Sequence, residues 1–161
     1  MAAERFVTLG PGHRVPYPEP SSAAATKIGK ANKRKDSKCE VRLRSDLHRA
    51  GLRFRKDLLL RVGGLRVHPD IVFTKAKVAV FVDGCFWHGC PTHRTTPKSN
   101  TSYWGPKLAA NEARDLRVND ALTADGWTVI RIWEHEDPTA AAEHVRAVVF
   151  ARHGGAVPGV R

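Results

Sequence analysis

The chain has 161 residues, of which 42% are hydrophobic and 27% charged, a balance typical of one globular domain rather than of a fibrous or disordered chain. Lys and Arg number 27 against 16 Asp and Glu, and this formal net charge of +11 indicates a polyanionic partner, with nucleic acid as the first candidate. No apolar run is long enough to span a bilayer, and residues 1–8 lack the apolar block of a secretory signal, so we expect a cytoplasmic protein without a membrane partner. Three cysteines in a reducing compartment favour metal ligation or burial over disulfides.

Most of the positive charge lies in one segment. Between Lys27 and Arg66 there are 14 Lys and Arg but only four acids, so this segment carries ten of the eleven net charges. Such a concentration favours a surface that follows phosphates, because each neutralised phosphate releases counterions; a solvated helix surface is the alternative. The basic residues at its start, expected to contact a nucleic-acid backbone, are Lys27, Lys30, Lys33, Arg34 and Lys35.

The first elements follow a tail. Residues 1–25 are rich in Pro, Ala and Ser and are predicted to be a flexible tail, with one domain over residues 26–153 and a C-terminal tail over residues 154–161. Ser37 followed by Glu40 is a capping-box pattern, which predicts a helix that ends at Gly51. This spacing alone explains Glu40 without any catalytic role.

The remaining elements alternate between strands and helices. Short apolar runs predict strands at residues 58–61, 70–74 and 78–82, with turns between them. Residues 106–124 have helical composition, with Leu108, Leu116 and Leu122 as expected core contacts, and residues 127–133 are predicted to be a buried strand. Asp137 and Pro138 begin a last helix that extends to about residue 152. The order α, β, β, β, α, β, α predicts an α/β fold.

The densest chemical stretch follows the strand at 78–82. Cys85, Cys90 and His93 have the close spacing that lets one loop supply three ligands to a tetrahedral zinc ion, and His135, after the last strand, is a natural fourth. Four protein ligands would close the shell and make the zinc structural. Two alternatives are that the cysteines are simply buried thiols, and that His88 replaces His93 as a ligand.

Two carboxylates lie at strand ends. Asp70 enters one strand and Asp83 ends the next, and such a pair can hold Mg²⁺, which polarises a phosphodiester. His88 can deprotonate an attacking water, because histidine is the side chain that exchanges protons most readily near neutral pH, although a histidine in a Cys/His-rich loop is more often a metal ligand. Phe86, Trp87 and Trp104 stand among polar and basic residues, so they either stack on nucleobases or pack in the core.

These features together resemble the very short patch repair (Vsr) endonucleases, bacterial enzymes that nick one DNA strand beside a T:G mismatch. The matching strings run from about Lys27 to Pro138: Glu40, Pro69-Asp70, Phe81-Val82-Asp83-Gly84-Cys85-Phe86-Trp87-His88, Tyr103-Trp104, Asn111-Glu112-Ala113-Arg114-Asp115, and Gly126-Trp127 to Trp133-Glu134. The resemblance implies a restriction-endonuclease-like core, a mixed central sheet flanked by helices, with a structural zinc site.

The resemblance also implies roles for individual residues. Asp70 and the carbonyl of Val82 would bind Mg²⁺, His88 would be the general base, and Glu40 would assist from the first helix. Phe86 and Trp87, with Trp104, would intercalate next to the mispair. The implied substrate is double-stranded, mismatched DNA, cut by a monomer in the bacterial cytoplasm at the nucleoid, with association with mismatch-repair proteins left open.

The chain departs from the family pattern at three places. Members often have a histidine where Asp83 stands, so Asp83 either binds metal or tunes His88, and a cysteine is common where His135 stands. Gly29 takes the place of an expected methionine wedge, with Ile28 before it. Gly29 favours an alternative reading, a nicking or restriction-type nuclease of relaxed specificity in DNA defence. A zinc-stabilised DNA-binding module without catalysis is the alternative from another class.

Overall fold

The computed structural model describes residues 6–10, 13–18, 36–93, 95 and 97–154. Eight strands and three helices occur in these residues. In chain order they are β1 (Phe6–Gly10), β2 (His13–Pro16), α1 (Lys38–Arg49), β3 (Arg55–Lys56), β4 (Leu60–Val62), β5 (Leu65–Val67), β6 (Ile71–Phe73), β7 (Val78–Asp83), α2 (Thr101–Ala124), β8 (Thr128–Trp133) and α3 (Pro138–Arg152). None of the described helices has the length and apolar character needed to cross a membrane.

Helix α1 begins and ends where the sequence predicts. The Ser37 hydroxyl accepts a hydrogen bond from the Glu40 amide at 3.2 Å, and the Glu40 carboxylate accepts one from the Ser37 amide at 3.4 Å. This reciprocal pair satisfies two of the amides that a helix start leaves unpaired. After Ala50, Gly51 adopts a left-handed φ of +83°, a conformation that glycine takes without steric cost.

The central sheet is mixed, with the strand order β3-β6-β7-β8. Strands β6 and β7 pair antiparallel, with Ile71 opposite Val80, and β8 pairs parallel with β7, with Trp133 opposite Asp83. The parallel pair needs a crossover connection, which α2 supplies. A mixed sheet with helices confirms the predicted α/β class.

Helices cover both faces of the sheet, which explains why β7 is almost continuously apolar. On one face, Val78 and Val80 pack with α1 and α3. On the other face, Ala79 packs with α2 and with the hairpin formed by β4 and β5. The catalytic candidates lie at the edge of the sheet where β7 and β8 end.

Four details differ from the expectations. The predicted tail contains a hairpin, β1 with β2, and the single strand predicted at residues 58–61 is the hairpin β4–β5. Helix α2 begins at Thr101, so Pro106 lies inside it rather than at its start. Leu116 is 64% exposed and is not a core residue, because the buried face of α2 follows Leu108, Val118 and Leu122. A single apolar residue in a helix does not by itself define the buried face.

Candidate active site

Asp70 and the end of β7 are adjacent because β6 and β7 are antiparallel. The chain enters β6 at Asp70, next to the point where β7 leaves the sheet, and the Val82 amide donates a hydrogen bond of 2.7 Å to Asp70 Oδ2. The carboxylate is thereby fixed at the sheet edge. Strand pairing thus brings together Asp70, Val82 and Asp83, as the sequence predicts.

Asp70 lines a cavity of about 230 Å³ beside the start of α1. Its other lining residues are Asp36, Glu40, Arg44, Lys56 and Asp57. Glu40 is only 7% exposed, and besides capping α1 it accepts a hydrogen bond from Arg44 Nη1 at 3.3 Å. Glu40 therefore both caps α1 and lies beside Asp70.

Burial raises the pKa of Asp70 to about 6, with further contributions from the negative charges of Glu40 and Asp83. The hydrogen bond from Val82 and the charge of Arg44 oppose this rise without cancelling it. Burial and the neighbouring acids therefore disfavour the ionised carboxylate at this edge. A bound divalent cation would stabilise that ionised form, and the oxygen donors present are those that Mg²⁺ prefers.

Asp83 is paired with a cation of the protein itself. It is 4% exposed, and both of its carboxylate oxygens accept from Arg131 Nη1, at 2.9 and 2.7 Å. His88 Nδ1 lies 3.7 Å from Asp83 Oδ1. Of the two roles left open for Asp83, this pairing favours an effect on His88 over direct metal binding.

His88 is held by a residue to which the sequence analysis gave no role. Its Nδ1 lies 2.6 Å from Asp115 Oδ2, on α2. Although burial disfavours its charge, the hydrogen bond with His88 and the guanidinium of Arg131 lower the pKa of Asp115 below its ordinary value. An ionised Asp115 accepts the bond, so the proton lies on Nδ1 and Nε2 remains available as a base.

Asp115 and Arg131 were missed for a physical reason. Asp115 lies 27 residues from His88, and Arg131 Nη2 lies 3.4 Å from Asp115 Oδ1 across the groove between α2 and β8. The signal in the sequence was an acid on the same helical face as Leu108, Val118 and Leu122. A charged residue on such an apolar face needs a buried partner.

The parallel pairing of β7 and β8 assembles the Cys/His cluster. The residues that follow these strands lie side by side, and the Cys85 amide donates a hydrogen bond of 2.7 Å to Glu134 Oε1. One ligand atom from each of Cys85, Cys90, His93 and His135 lies within 4.8 Å of the other three. His88 is bonded to Asp115 instead, so it does not replace His93 in this cluster.

The distances within the cluster fit a tetrahedral metal site. The sulfurs of Cys85 and Cys90 lie between 3.1 and 3.9 Å from the Nδ1 atoms of His93 and His135. Ordinary Zn–S and Zn–N bond lengths give a sulfur–nitrogen separation of about 3.6 Å across a tetrahedron edge. The four residues can therefore hold a metal ion of the size and preference of zinc.

The two thiols differ in acidity. Burial and the Cys90 sulfur raise the pKa of Cys85 to about 11. Burial also opposes the ionisation of Cys90, but hydrogen bonds from the Thr92 side chain and the His93 amide lower its pKa to about 6. One thiolate is thus already favoured at neutral pH, and a bound metal would displace the second proton.

Three aromatic side chains form one cluster beside the His88 loop. Ring centroids of Phe86, Trp87 and Trp104 lie 5.1 to 5.6 Å apart, and all three rings are partly exposed. Tyr103 packs against Trp104 at 5.1 Å and is itself buried. The cluster therefore has an inner part that packs and an outer part that can contact a ligand.

Several predicted residues lie outside the described residues. These are the basic group Lys27, Lys30, Lys33, Arg34 and Lys35, together with Ile28 and Gly29. Their predicted contacts with DNA therefore stay predictions.

Comparison with known proteins identifies the class of protein to which this chain belongs. The sequence model of a family described as DNA mismatch endonuclease Vsr matches residues 21–94. The type II nicking enzyme V.NaeI of Lentzea aerocolonigenes is 52% identical over 138 residues, which cover 85% of this chain and 81% of that protein. The type II nicking enzyme V.XorIIP of Xanthomonas oryzae pv. oryzae is 45% identical over 63% of this chain and 73% of its own length. DNA mismatch endonuclease Vsr of Escherichia coli is 33% identical over 70% of each chain.

The protein is a DNA endonuclease. More particularly, the chain belongs to the Vsr family of DNA mismatch endonucleases, as the motifs around Asp70 and His88 predict. Membership of this family favours an enzyme over a DNA-binding module without catalysis.

The raised pKa of Asp70 predicts a stability that depends on pH and on divalent cations. The folded protein binds a proton at Asp70 more tightly than the unfolded chain does. Protonation of Asp70 therefore contributes to the free energy of unfolding below about pH 4, and this contribution is lost as pH rises through 6. Without divalent ions, Asp70→Asn should therefore be more stable than the parent at pH 7.5, by at most about 3 kcal/mol, and equally stable near pH 4. Added Mg²⁺ should stabilise the parent but not Asp70→Asn.

Urea unfolding of both proteins at the two pH values measures these differences. Asp120→Asn, an exposed acid on α2, is the matched control and should behave as the parent does. A less stable Asp70→Asn at pH 7.5, or an equal effect of Mg²⁺ on all three proteins, would contradict the account.

Proposed function

We propose that the protein is a Mg²⁺-dependent endonuclease that nicks one strand of duplex DNA at T:G mismatches, with a structural zinc ion in the Cys/His cluster. The observation that carries the proposal is the arrangement of Asp70, which lines a cavity, at the same sheet edge as the Asp83–Arg131 pair that contacts His88. The product would have a 5′ phosphate. The proposed substrate arises from deamination of 5-methylcytosine, and the reaction would take place in the bacterial cytoplasm.

The Asp70 carboxylate and the Val82 carbonyl would hold the magnesium ion. When bound, Mg²⁺ supplies charge stabilisation to a phosphate that gains negative charge during hydrolysis. Glu40 would assist from α1, where it faces the same cavity as Asp70. Asp83 stays bound to Arg131 throughout.

His88 would accept the proton of the attacking water at Nε2. Asp115 holds the Nδ1 proton and stabilises the imidazolium that forms, and Arg131 keeps Asp115 ionised. The water oxygen bonds to phosphorus, the bond from phosphorus to the 3′ oxygen breaks, and that oxygen takes a proton from solvent water, which leaves a 3′ hydroxyl and a 5′ phosphate.

The remaining contacts would select the substrate. Phe86, Trp87 and Trp104 would insert beside the mispair, because partly exposed rings can replace the stacking that a mismatched step loses. The basic group from Lys27 to Lys35 would bind the backbone. We place these functions in one domain over residues 26–153, acting as a monomer that cuts a single strand, with or without mismatch-repair proteins.

A second candidate is a nicking enzyme of relaxed specificity in DNA defence. It is favoured by Gly29 at the expected wedge position and by relatives whose names describe type II nicking enzymes. Both candidates use the same chemistry, so substrate choice separates them.

A duplex panel tests the proposed specificity through the aromatic cluster. Relative to a fully paired duplex, the T:G duplex should be nicked faster, and Phe86→Ala with Trp87→Ala should reduce this ratio while leaving part of the salt-dependent affinity. Rates are measured under single-turnover conditions on T:G, other mispaired and paired duplexes. An equal ratio before and after the substitutions would contradict the wedge role, and equal rates on every duplex would favour the second candidate.

Substitutions at the two chemical centres test the mechanism. Asp70→Asn should reduce the nicking rate at saturating DNA by about 10³-fold, as expected from the loss of several kcal/mol of charge stabilisation. Asp115→Asn should reduce it by about 10²-fold or more, because the amide leaves His88 without its ionised partner. Asp120→Asn again serves as control. Retention of more than half of the parent rate in Asp70→Asn, with the fold intact, would refute the proposed role of Asp70.

The zinc site is tested by metal content. Cys85→Ser should lose bound zinc and unfold at a lower temperature, because three protein ligands replace four and the loop is no longer linked to the end of β8. Cys39→Ser, at a half-buried cysteine outside the cluster, should keep the metal. Stoichiometric zinc in purified Cys85→Ser, measured by mass spectrometry, would exclude Cys85 as a ligand.

A further inference from the structure

The hairpin formed by β4 and β5 has one buried and one exposed face. Leu60, Val62 and Val67 pack with Val118 and Leu122 of α2 on the buried face. At its tip, Gly63 and Gly64 have φ values of +53° and +76° and make a two-residue turn. A side chain at Gly63 would approach the Ala121 methyl to 3.2 Å, so the hairpin lies close against the helix. The hairpin is thus a fixed ribbon rather than a loose loop.

The exposed face of this ribbon presents two arginines directly opposite each other. Arg61 pairs with Arg66 across the two strands, and both side chains are exposed. Like charges at opposed positions of an antiparallel pair are destabilising. Among the described residues, no ion pair joins either arginine to a carboxylate. The opposed pair therefore destabilises the free protein. Its two neighbouring positive charges would attract an external anion.

The ribbon is anchored next to the proposed catalytic carboxylate. His68, directly after β5, has its Nδ1 3.4 Å from the carbonyl oxygen of Asp57, which closes the base of the ribbon. Arg66 precedes Asp70 by four residues, so no more than about 14 Å of extended chain separates their backbones. When one phosphate of a DNA duplex lies at Asp70, further phosphates lie within the distance between Asp70 and Arg66, because successive nucleotides of a DNA strand rise by about 3.4 Å along the helix axis.

We propose that Arg61 and Arg66 form a phosphate clamp that binds the backbone of duplex DNA beside the scissile phosphate. This inference rests on the proposed function, since it takes duplex DNA as the ligand. The buried face fixes the ribbon on α2, and the two guanidinium groups bind phosphates on one strand. The clamp contributes affinity that is independent of base sequence and of the aromatic cluster.

The test measures how duplex binding depends on salt. Kd for a T:G duplex is determined by fluorescence anisotropy without divalent ions, between 50 and 200 mM salt. The double variant Arg61→Gln with Arg66→Gln should reduce the slope of log Kd against log salt by about 2, since each lost phosphate contact removes about 0.9. Each single variant should remove about half of this difference. Lys75→Gln removes one exposed charge at the opposite end of β6 and should leave the slope unchanged.

Two further readouts separate a clamp from a structural role. The melting temperature of the double variant should equal or exceed that of the parent, because a repulsive pair is removed. The DNA concentration that gives half of its maximal nicking rate should rise in step with its Kd. An unchanged salt slope, or a slope change no larger than that of Lys75→Gln, would overturn the clamp.

The binding readout also separates this inference from the proposed function. It needs no strand scission, so a parent protein that cuts no duplex would refute the proposed function while the salt slope still reports on the clamp. Conversely, normal T:G nicking with an unchanged slope in the double variant would refute the clamp alone.

Discussion

The pairing of β7 with its two neighbours is the constraint on which the site depends. Because β6 is antiparallel to β7, Asp70 enters the sheet where Val82 and Asp83 leave it. Because β8 is parallel to β7, the loops after Asp83 and after Trp133 lie side by side, and His135 joins the cysteines. A slip of β6 or β8 by one residue against β7 would turn the side chains of the slipped strand to the other face of the sheet and would displace Asp70 or His135 from its present neighbours. The apolar cores on both faces of β7 fix that register.

The acids at this edge of the sheet fall into two groups, which differ in whether a cation of the protein pairs with them. Arg131 binds Asp83 and Asp115, so these two carboxylates share a cation of the protein, and both lie close to His88 Nδ1. Among the residues that the structure describes, no cation pairs with Asp70 in this way: Arg44 is nearby, yet burial and the neighbouring acids still raise the pKa of Asp70 to about 6. Acids whose environments shift their pKa values in opposite directions are suited to different chemical tasks.

The sequence predicts those parts of the structure that local chemistry determines. Ser37, Glu40 and Gly51 define α1, and the close spacing of Cys85, Cys90 and His93 indicates a cluster that the structure assembles with His135. The hydrogen bond of His88 with Asp115 and the ion pair of Arg131 with Asp83 join residues 27 and 48 positions apart, so they depend on the position of α2 beside the loop after β7 and on the pairing of β7 with β8, which no local pattern encodes. Leu116 and the second strand of the β4–β5 hairpin were misassigned for a related reason, because short apolar patterns do not specify which face is buried.

The proposed mechanism requires a divalent ion at Asp70 for strand scission, separately from the metal in the Cys/His cluster. The most direct test is a Mg²⁺ titration of single-turnover nicking on a T:G duplex, with zinc-loaded protein in buffer freed of other divalent ions. The account predicts no scission without Mg²⁺, although zinc is retained, and a saturable rise in rate as Mg²⁺ is added. Scission at the full rate in zinc-loaded protein without Mg²⁺ would contradict it.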